Sequence, residues 1–250
     1  MTDLVLDGHV HCGFTVPFDE ISREWQIAGI DGGAMFSPVE EIYNRYDPGF
    51  TDSDEYRTSR RRVHAYLLDL AARDNLYSYF FVWNDFVPVP DGFSGIKWHR
   101  HGGEPEYNYH TRECDHVVEE ICRKRLPVVL EEEFGNTLNF LERIDDRTTV
   151  VIPHMGGLNG GYRRLRDAGV FERQSVLVDT ALASGREIAD FAERYGTERI
   201  IFGSDYPFGI PAHEKRKVAG LFSGKDRAAV LSGNLLRLLG ESRTAVRGDV

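Results

Sequence analysis

The chain has 250 residues, of which 41% are hydrophobic and 28% charged, and its formal net charge at pH 7 is −10. This balance is typical of a globular protein with one large domain, and an acidic surface repels nucleic acid and anionic membranes. Three cysteines (Cys12, Cys114 and Cys122) are too few for a disulfide framework. The N-terminus lacks a signal-peptide pattern and no apolar stretch is long enough to span a membrane, so we expect a cytoplasmic protein.

Short apolar segments that are typical of β-strands recur along the chain. They predict eight strands, at residues 4–6, 33–36, 76–83, 93–98, 128–130, 149–152, 175–178 and 199–202. Helical periodicity follows most of them, at residues 54–73, 113–124, 137–144, 161–168, 186–195, 213–222 and 226–239. The alternation predicts a parallel sheet that closes into a single-domain (β/α)8 TIM barrel. An open doubly wound sheet is the alternative, but the first strand is not followed by the Gly-rich phosphate loop common in such sheets.

We predict that residues 1–240 form this barrel and that residues 241–250 are a polar C-terminal tail. Two long connections, residues 37–54 and 99–112, follow the second and fourth strands. Both are expected at the C-terminal face of the barrel, where the active sites of this architecture form. Long loops in that position often shape substrate pockets.

The strongest chemical signal is the pair His9 and His11 at the end of the first strand. Alternate side chains of a strand point the same way, so both imidazoles can bind one divalent ion. Asp205 follows the last strand, which neighbours the first strand in a closed barrel. Its carboxylate can ligate the same ion and accept a proton from water.

Two further candidates end the fifth and sixth strands. His154 suits a general acid or base, or an electrostatic partner for an oxyanion, although a hydrogen-bonded histidine without a chemical role is the alternative. Glu131 begins a run of three acids, and strand periodicity places it on the same face as Glu133, so that one of the two can point inward. The predicted catalytic residues are Asp205 and His154, and the predicted metal ligands are His9, His11, Glu131, His154 and Asp205.

The fourth strand ends in a basic segment with Lys97, His99, Arg100 and His101. Lys97 and Arg100 can pair with a carboxylate on a substrate. Lys97, His99 and Arg100 are therefore predicted to bind substrate. A surface lysine and a hydrogen-bonded barrel histidine are the alternatives for Lys97 and His99.

The motifs DGHVHCG, GIKWH, PVVLE, PHMGG, FGSDYP and GNLLRLLG occur in this order. Together they resemble the amidohydrolase superfamily, specifically its amidohydrolase-related (family 2) branch, which includes aminocarboxymuconate-semialdehyde decarboxylase-like enzymes. The resemblance covers about residues 3–240. It implies a metal-dependent TIM-barrel enzyme, with zinc as the expected ion and manganese as the alternative.

Carried over residue by residue, the resemblance implies that His9 and His11 are ligands and that Asp205 is both ligand and proton acceptor. His154 would orient or activate the water or the substrate. The family usually has a histidine ligand at the end of strand five, where this chain has Glu131. An anionic ligand there favours a harder ion such as Mn²⁺, or a bridged pair of metals.

The predicted function is hydrolysis of a small amide, ester or lactone by metal-activated water. Two alternatives stay open: a non-oxidative decarboxylase of a small aromatic or unsaturated acid, and a non-catalytic metal- or ligand-binding barrel. The expected partner is a small-molecule substrate, which can carry a carboxylate, and self-association is left open. Neither nucleic acid nor a membrane is expected to bind.

Overall fold

The computed structural model describes residues 4–247, with the backbone alone for residues 241–247. Eight strands form one sheet in the order of the chain, and each pairs in parallel with the next. The strands are β1 Leu6–His11, β2 Gly32–Phe36, β3 Leu76–Phe81, β4 Gly95–His99, β5 Val128–Glu131, β6 Val150–Ile152, β7 Val176–Asp179 and β8 Ile200–Ile201.

Hydrogen bonds between β1 and the end of β8 close the sheet. The Gly8 amide donates to the Phe202 carbonyl at 2.8 Å, and the Asp205 amide donates to the His9 carbonyl at 2.8 Å. The His11 amide donates to the carbonyl of Tyr206 at 3.0 Å. The predicted (β/α)8 TIM barrel of one domain is therefore confirmed, and the seam between its first and last strands lies directly beside His9, His11 and Asp205.

Nine α-helices are found in the part of the chain that the structure describes. They are α1 Phe18–Ala28, α2 Asp54–Leu70, α3 Arg112–Lys124, α4 Phe134–Ile144, α5 Tyr162–Asp167, α6 Gly185–Tyr195, α7 Pro211–Leu221, α8 Gly224–Ala228 and α9 Asn234–Arg247. The sequence did not predict α1. This helix buries only Ile21 and Trp25, so its apolar stripe is too narrow to stand out from its polar neighbours.

Apolar side chains of the strands fill the interior of the barrel. All residues of the eight strands are buried, as expected when helices cover a closed parallel sheet. One inner cluster joins strand residues such as Phe36 and Tyr79 to leucines of α9. A larger cluster lies between the strands and the surrounding helices. Within the described residues, no helix is long and apolar enough to cross a membrane.

The seam also depends on a glycine. A Cβ atom at Gly8 would lie 2.4 Å from Cγ2 of Ile201 and 3.0 Å from the carbonyl oxygen of Phe202. We expect Gly8→Ala to lower the free energy of unfolding by about 1–3 kcal/mol, because overpacking forces the strands apart. Gly135→Ala is the matched control, since Gly135 lies in α4 with no atom within 4 Å of its Cβ position. The control should be neutral or stabilising by up to about 1 kcal/mol. Equal denaturation midpoints for the two variants would contradict this reading of the seam.

The end of β5 differs from the prediction. The strand ends at Glu131, so Glu131 and Glu133 do not share a strand face. Glu133 is exposed and stands just before the first residue of α4, whereas Glu132 is buried and accepts hydrogen bonds from Tyr109 and Arg100. The predicted boundary at residue 240 stays a prediction: α9 continues through it, and residues 248–250 lie outside the described residues.

Candidate active site

Three donor atoms converge at the carboxyl ends of β1 and β8. The Nε2 atoms of His9 and His11 lie 3.2 and 3.1 Å from the same oxygen, Oδ1 of Asp205. All three residues are at most 4% exposed, and neither His9 Nε2 nor Asp205 Oδ1 makes a hydrogen bond. Donor atoms that share a zinc ion at about 2.0–2.2 Å lie roughly 3 Å apart. The residue types, the spacing and the unpartnered atoms therefore fit a divalent metal ion.

A carboxylate behind His9 sets the orientation of its ring. Oδ2 of Asp179, the last residue of β7, lies 2.6 Å from His9 Nδ1. Its other oxygen, Oδ1, accepts hydrogen bonds from the amides of His154 at 2.8 Å and Ala181 at 3.1 Å. Since the carboxylate accepts the Nδ1 proton, Nε2 of a neutral His9 is left as a lone-pair donor that faces Asp205.

His154 lies on the other side of Asp205. Its Nδ1 lies 3.1 Å from the carbonyl oxygen of Ala181, which can only accept, so Nδ1 donates. Nε2 then faces Oε2 of Glu131 at 3.8 Å and Oδ2 of Asp205 at 3.9 Å. His154 has φ 55° and Asp205 has φ 56°, in the left-handed region that non-glycine residues rarely adopt. Strained backbone conformations are concentrated at functional sites. Here the two side chains face each other, with His154 Nε2 3.9 Å from Asp205 Oδ2.

The buried charges of this group shift one another's pKa values. Burial lowers the pKa of His9, but the Asp179 and Asp205 carboxylates together outweigh it and raise that pKa to about 9. Burial raises the pKa of Asp205, but the His9 and His11 imidazoles together reverse this and hold the pKa well below its usual range. Burial also lowers the pKa of His154, and the facing Glu131 carboxylate raises it above its ordinary value. Without a metal, His9 is therefore protonated near neutral pH, and an ion that binds here has to displace that proton.

Glu131 lies beside this group and is surrounded by basic side chains. Lys97 Nζ lies 2.7 Å from Oε2, and His99 Nδ1 lies 3.1 Å from the same oxygen. His101 Nε2 forms a short hydrogen bond with Oε1. Among the described residues, three groups have donor atoms within 4.8 Å of one another, as a metal ion requires: His9, His11 and Asp205; His9, Glu131 and His154; and His99, His101 and Glu131.

The predicted substrate-binding residues separate into two sets. Lys97 and His99 point toward the candidate site, and both are buried. Arg100 points to the other side of β4, where its guanidinium donates to Glu132 at 3.2 Å and Glu133 at 2.9 Å. The fold therefore brings Lys97 and His99 together with the predicted ligands, and it does not bring Arg100 to them.

A cavity of about 210 Å³ opens beside His11. Arg45 lines it, and Phe208, which is 63% exposed, forms part of its wall. The Arg45 guanidinium donates to Oε1 of Glu104 at 2.7 Å and to Nδ1 of His101 at 3.0 Å. The cavity thus joins the candidate metal ligands to a fixed cation on the loop after β2.

Sequence reasoning missed Asp179 and Arg45. Asp179 ends a strand with a carboxylate, as Glu131 does, and that pattern in VLVD was a usable signal. Arg45 carried no such signal. Its position depends on contacts with Glu104 and His101, which belong to the second long loop, and no local periodicity encodes a contact between two loops.

Solved structures with a similar fold include a 5-carboxyvanillate decarboxylase from Sphingomonas paucimobilis, with a TM-score of 0.74 and 12% identity over 96% of this chain and 99% of that chain. A 2,6-dihydroxybenzoate decarboxylase from Rhizobium has a TM-score of 0.71 and 14% identity over 96% of this chain and 98% of that chain. A putative 2-pyrone-4,6-dicarboxylic acid hydrolase from Pseudomonas putida has a TM-score of 0.68 and 16% identity, with the same coverage. At these identities the similarity shows the shared fold alone.

No curated protein matches the chain at a significant level. The family model of the amidohydrolases matches residues 89–240, which is more than half of the chain. That region contains the motifs that end β4, β5, β6 and β8, and the resemblance inferred from the motifs is confirmed. The chain belongs to the amidohydrolase family.

Proposed function

We propose that the chain is a metal-dependent hydrolase of a small lactone, ester or amide that carries a carboxylate. The observation that carries the proposal is the convergence of His9, His11 and Asp205 on one point, with His9 Nε2 and Asp205 Oδ1 buried and without hydrogen bonds. Two imidazoles and a carboxylate are a frequent ligand set of catalytic zinc sites. Zinc is therefore the ion we propose, with manganese as the alternative.

Asp205 and His154 have separate roles in the proposed proton transfers. A divalent ion held by these ligands lowers the pKa of water and polarises a carbonyl group. The second oxygen of Asp205, Oδ2, faces His154 and would accept the proton of the attacking water. His154 Nε2, 3.9 Å from Asp205 Oδ2, is placed to pass that proton to the leaving group. Asp179 keeps His9 in the ligating tautomer throughout.

The position of Arg45 is our reason for proposing that the substrate carries a carboxylate. Its NH1 atom has an exposed partner, Glu40, at the longer distance of 3.5 Å, so one edge of the guanidinium can pair with an anion. The cavity beside His11 has the size of a compact acid, and its apolar wall includes Phe208. A carboxylate bound at Arg45 would direct the rest of such a molecule toward His11.

We expect Arg45→Gln to raise KM by about 10–100-fold with a smaller effect on kcat, since hydrogen bonds to charged groups contribute about 1.5–3 kcal/mol. Steady-state kinetics on a carboxylate substrate measure this change. Arg61→Gln is the control, because Arg61 is exposed on α2 and hydrogen-bonds only within its own helix, to Thr58. A KM for Arg45→Gln equal to that of the control would argue against carboxylate binding at Arg45.

Decarboxylation of a small acid is the second candidate. Two of the similar structures are decarboxylases, and a metal ion, an acid–base pair and a cationic anchor serve that reaction as well. The test is incubation of the zinc-loaded and manganese-loaded chain with a panel of carboxylated lactones, esters, amides and unsaturated acids in ¹⁸O-labelled water. Hydrolysis places ¹⁸O in the product, whereas decarboxylation releases CO2 without requiring it. Turnover that survives complete removal of metal would contradict both candidates, and no turnover across the panel would favour a metal-binding barrel.

A further inference from the structure

A second group of potential ligands lies next to the proposed metal centre and already contains a cation. His99, His101 and Glu131 present donor atoms within 4.8 Å of one another. The Lys97 ammonium contacts this group, 2.7 Å from Glu131 Oε2. The lysine is completely buried, and its Nζ lies 4.4 Å from the centre of the Phe36 ring, which adds a cation–π contact.

His99 has the features of an unused ligand. Both of its ring nitrogens are buried and neither makes a hydrogen bond. Nδ1 lies 3.1 Å from Glu131 Oε2, the oxygen that Lys97 also contacts, but it lacks the direction of a hydrogen bond. Buried imidazole nitrogens without partners are rare, because each unpaired group costs free energy. The His99 ring thus presents an unpaired nitrogen to Glu131 Oε2, the same oxygen that the Lys97 ammonium contacts.

The charges around Glu131 explain why the native chain needs no second ion there. The buried carboxylates that contact His99 and His101 are Glu131 and Glu104, and the cations paired with them are Lys97 and Arg45. Glu40, the further partner of Arg45, is exposed to solvent. The two pairs balance, so a divalent ion would add an uncompensated charge in a buried region, which is costly. Arg45 also donates to His101 Nδ1, which directs the Nε2 proton of a neutral His101 toward Glu131.

We propose that the Lys97 ammonium takes the place of a second divalent cation. The native chain then holds a single ion at His9, His11 and Asp205, and Glu131 serves as the counter-ion of Lys97 and not as a ligand. Replacement of Lys97 by a neutral side chain leaves one unbalanced carboxylate and opens a site for a second ion at Glu131, His99 and His101. This inference rests on the one-ion centre of the proposed function.

The experiment is a zinc count per chain by elemental analysis, after equilibrium dialysis against Zn²⁺, for the native protein and for Lys97→Met. Methionine keeps the length and the apolar contact of the lysine with Phe36 and removes its charge. We expect one ion in the native protein and two in Lys97→Met. The double variant Lys97→Met/Glu131→Gln should return to one ion.

A separate variant keeps the inference testable if Lys97→Met does not fold. Glu131→Gln in the native background should change the zinc Kd by less than about tenfold, the lower bound for changes to outer-shell partners. A zinc Kd weakened by much more than that would make Glu131 a ligand and overturn the inference. Two ions in the native protein, or one in folded Lys97→Met, would also overturn it while leaving the proposed function standing. No ion in the native protein would overturn the proposed centre and, with it, this inference.

Discussion

Asp205→Asn is expected to abolish zinc binding at the candidate centre, with a Kd weakened by more than the roughly 10–100-fold that outer-shell changes cost. The variant loses the negative charge that would balance the ion, and its amide NH2 can take the position of the Oδ1 oxygen that lies beside His9 and His11. Turnover should fall by at least about 10²–10⁴-fold, the usual contribution of a general acid–base group. Competition with a chromophoric zinc chelator measures the first effect, and activity on the best substrate of the panel measures the second.

The fold of this variant should survive. The backbone of Asp205 bonds to the His9 carbonyl and accepts from the amides of Phe208 and Gly209, and the substitution changes none of these contacts. Asparagine also tolerates the left-handed conformation at this position. Asp91→Asn is the matched control, because the Asp91 side chain is 94% exposed and its ion-pair partner is Lys124, which is not among the predicted site residues. A zinc affinity of Asp205→Asn equal to that of the control would refute Asp205 as a ligand.

Asp179→Asn is expected to weaken zinc binding by about 10–100-fold although the residue does not face the ion. The asparagine oxygen can keep the hydrogen bonds from the amides of His154 and Ala181, which turns its NH2 group toward His9 Nδ1. His9 then accepts at Nδ1 and carries its proton on Nε2, the atom that has to ligate. The substitution thus conserves the shape of the side chain at position 179 and reverses the tautomer of His9.

Two measurements separate this explanation from simple loss of structure. Nitrogen chemical shifts of the His9 ring report the tautomer directly, and a thermal melt reports the fold. Asp91→Asn, at a side chain that is 94% exposed, is again the control. If Asp179→Asn keeps the native His9 tautomer or binds zinc as the native protein does, then Asp179 does not act by orienting His9.

The fold and part of the candidate site could be predicted because both depend on strands and their ends. Alternation of apolar segments and helices specified the barrel, and placement at strand ends brought His9, His11, His154 and Asp205 together. Side-chain alternation failed at Glu133, because β5 ends at Glu131 and alternation does not extend beyond the end of a strand. Whether the predicted ligands bind a metal stays a prediction.

The remaining parts of the site depend on contacts between distant segments. Asp179 reaches His9 across 170 positions of the chain, and Arg45 meets Glu104 across 59. Neither contact follows from composition or periodicity. The charge balance around Glu131 likewise exists only after β4 and β5 have paired in register, with His99 beside Glu131. Sequence patterns could suggest that Glu131 points inward, but they could not reveal that Lys97 neutralises it.

The seam of the barrel has a consequence for how the protein would acquire the proposed ion. His9 and His11 are on the first strand and Asp205 follows the last, so the complete donor set forms only when the sheet has closed. A nascent or partly folded chain with an open sheet offers the two imidazoles at most. If the proposed ion binds at this centre, it would bind the finished barrel in preference to every earlier species, and its binding free energy would stabilise the closed state selectively. The ion would then connect the two ends of the sheet, and metal supply would be a determinant of how long the folded protein survives.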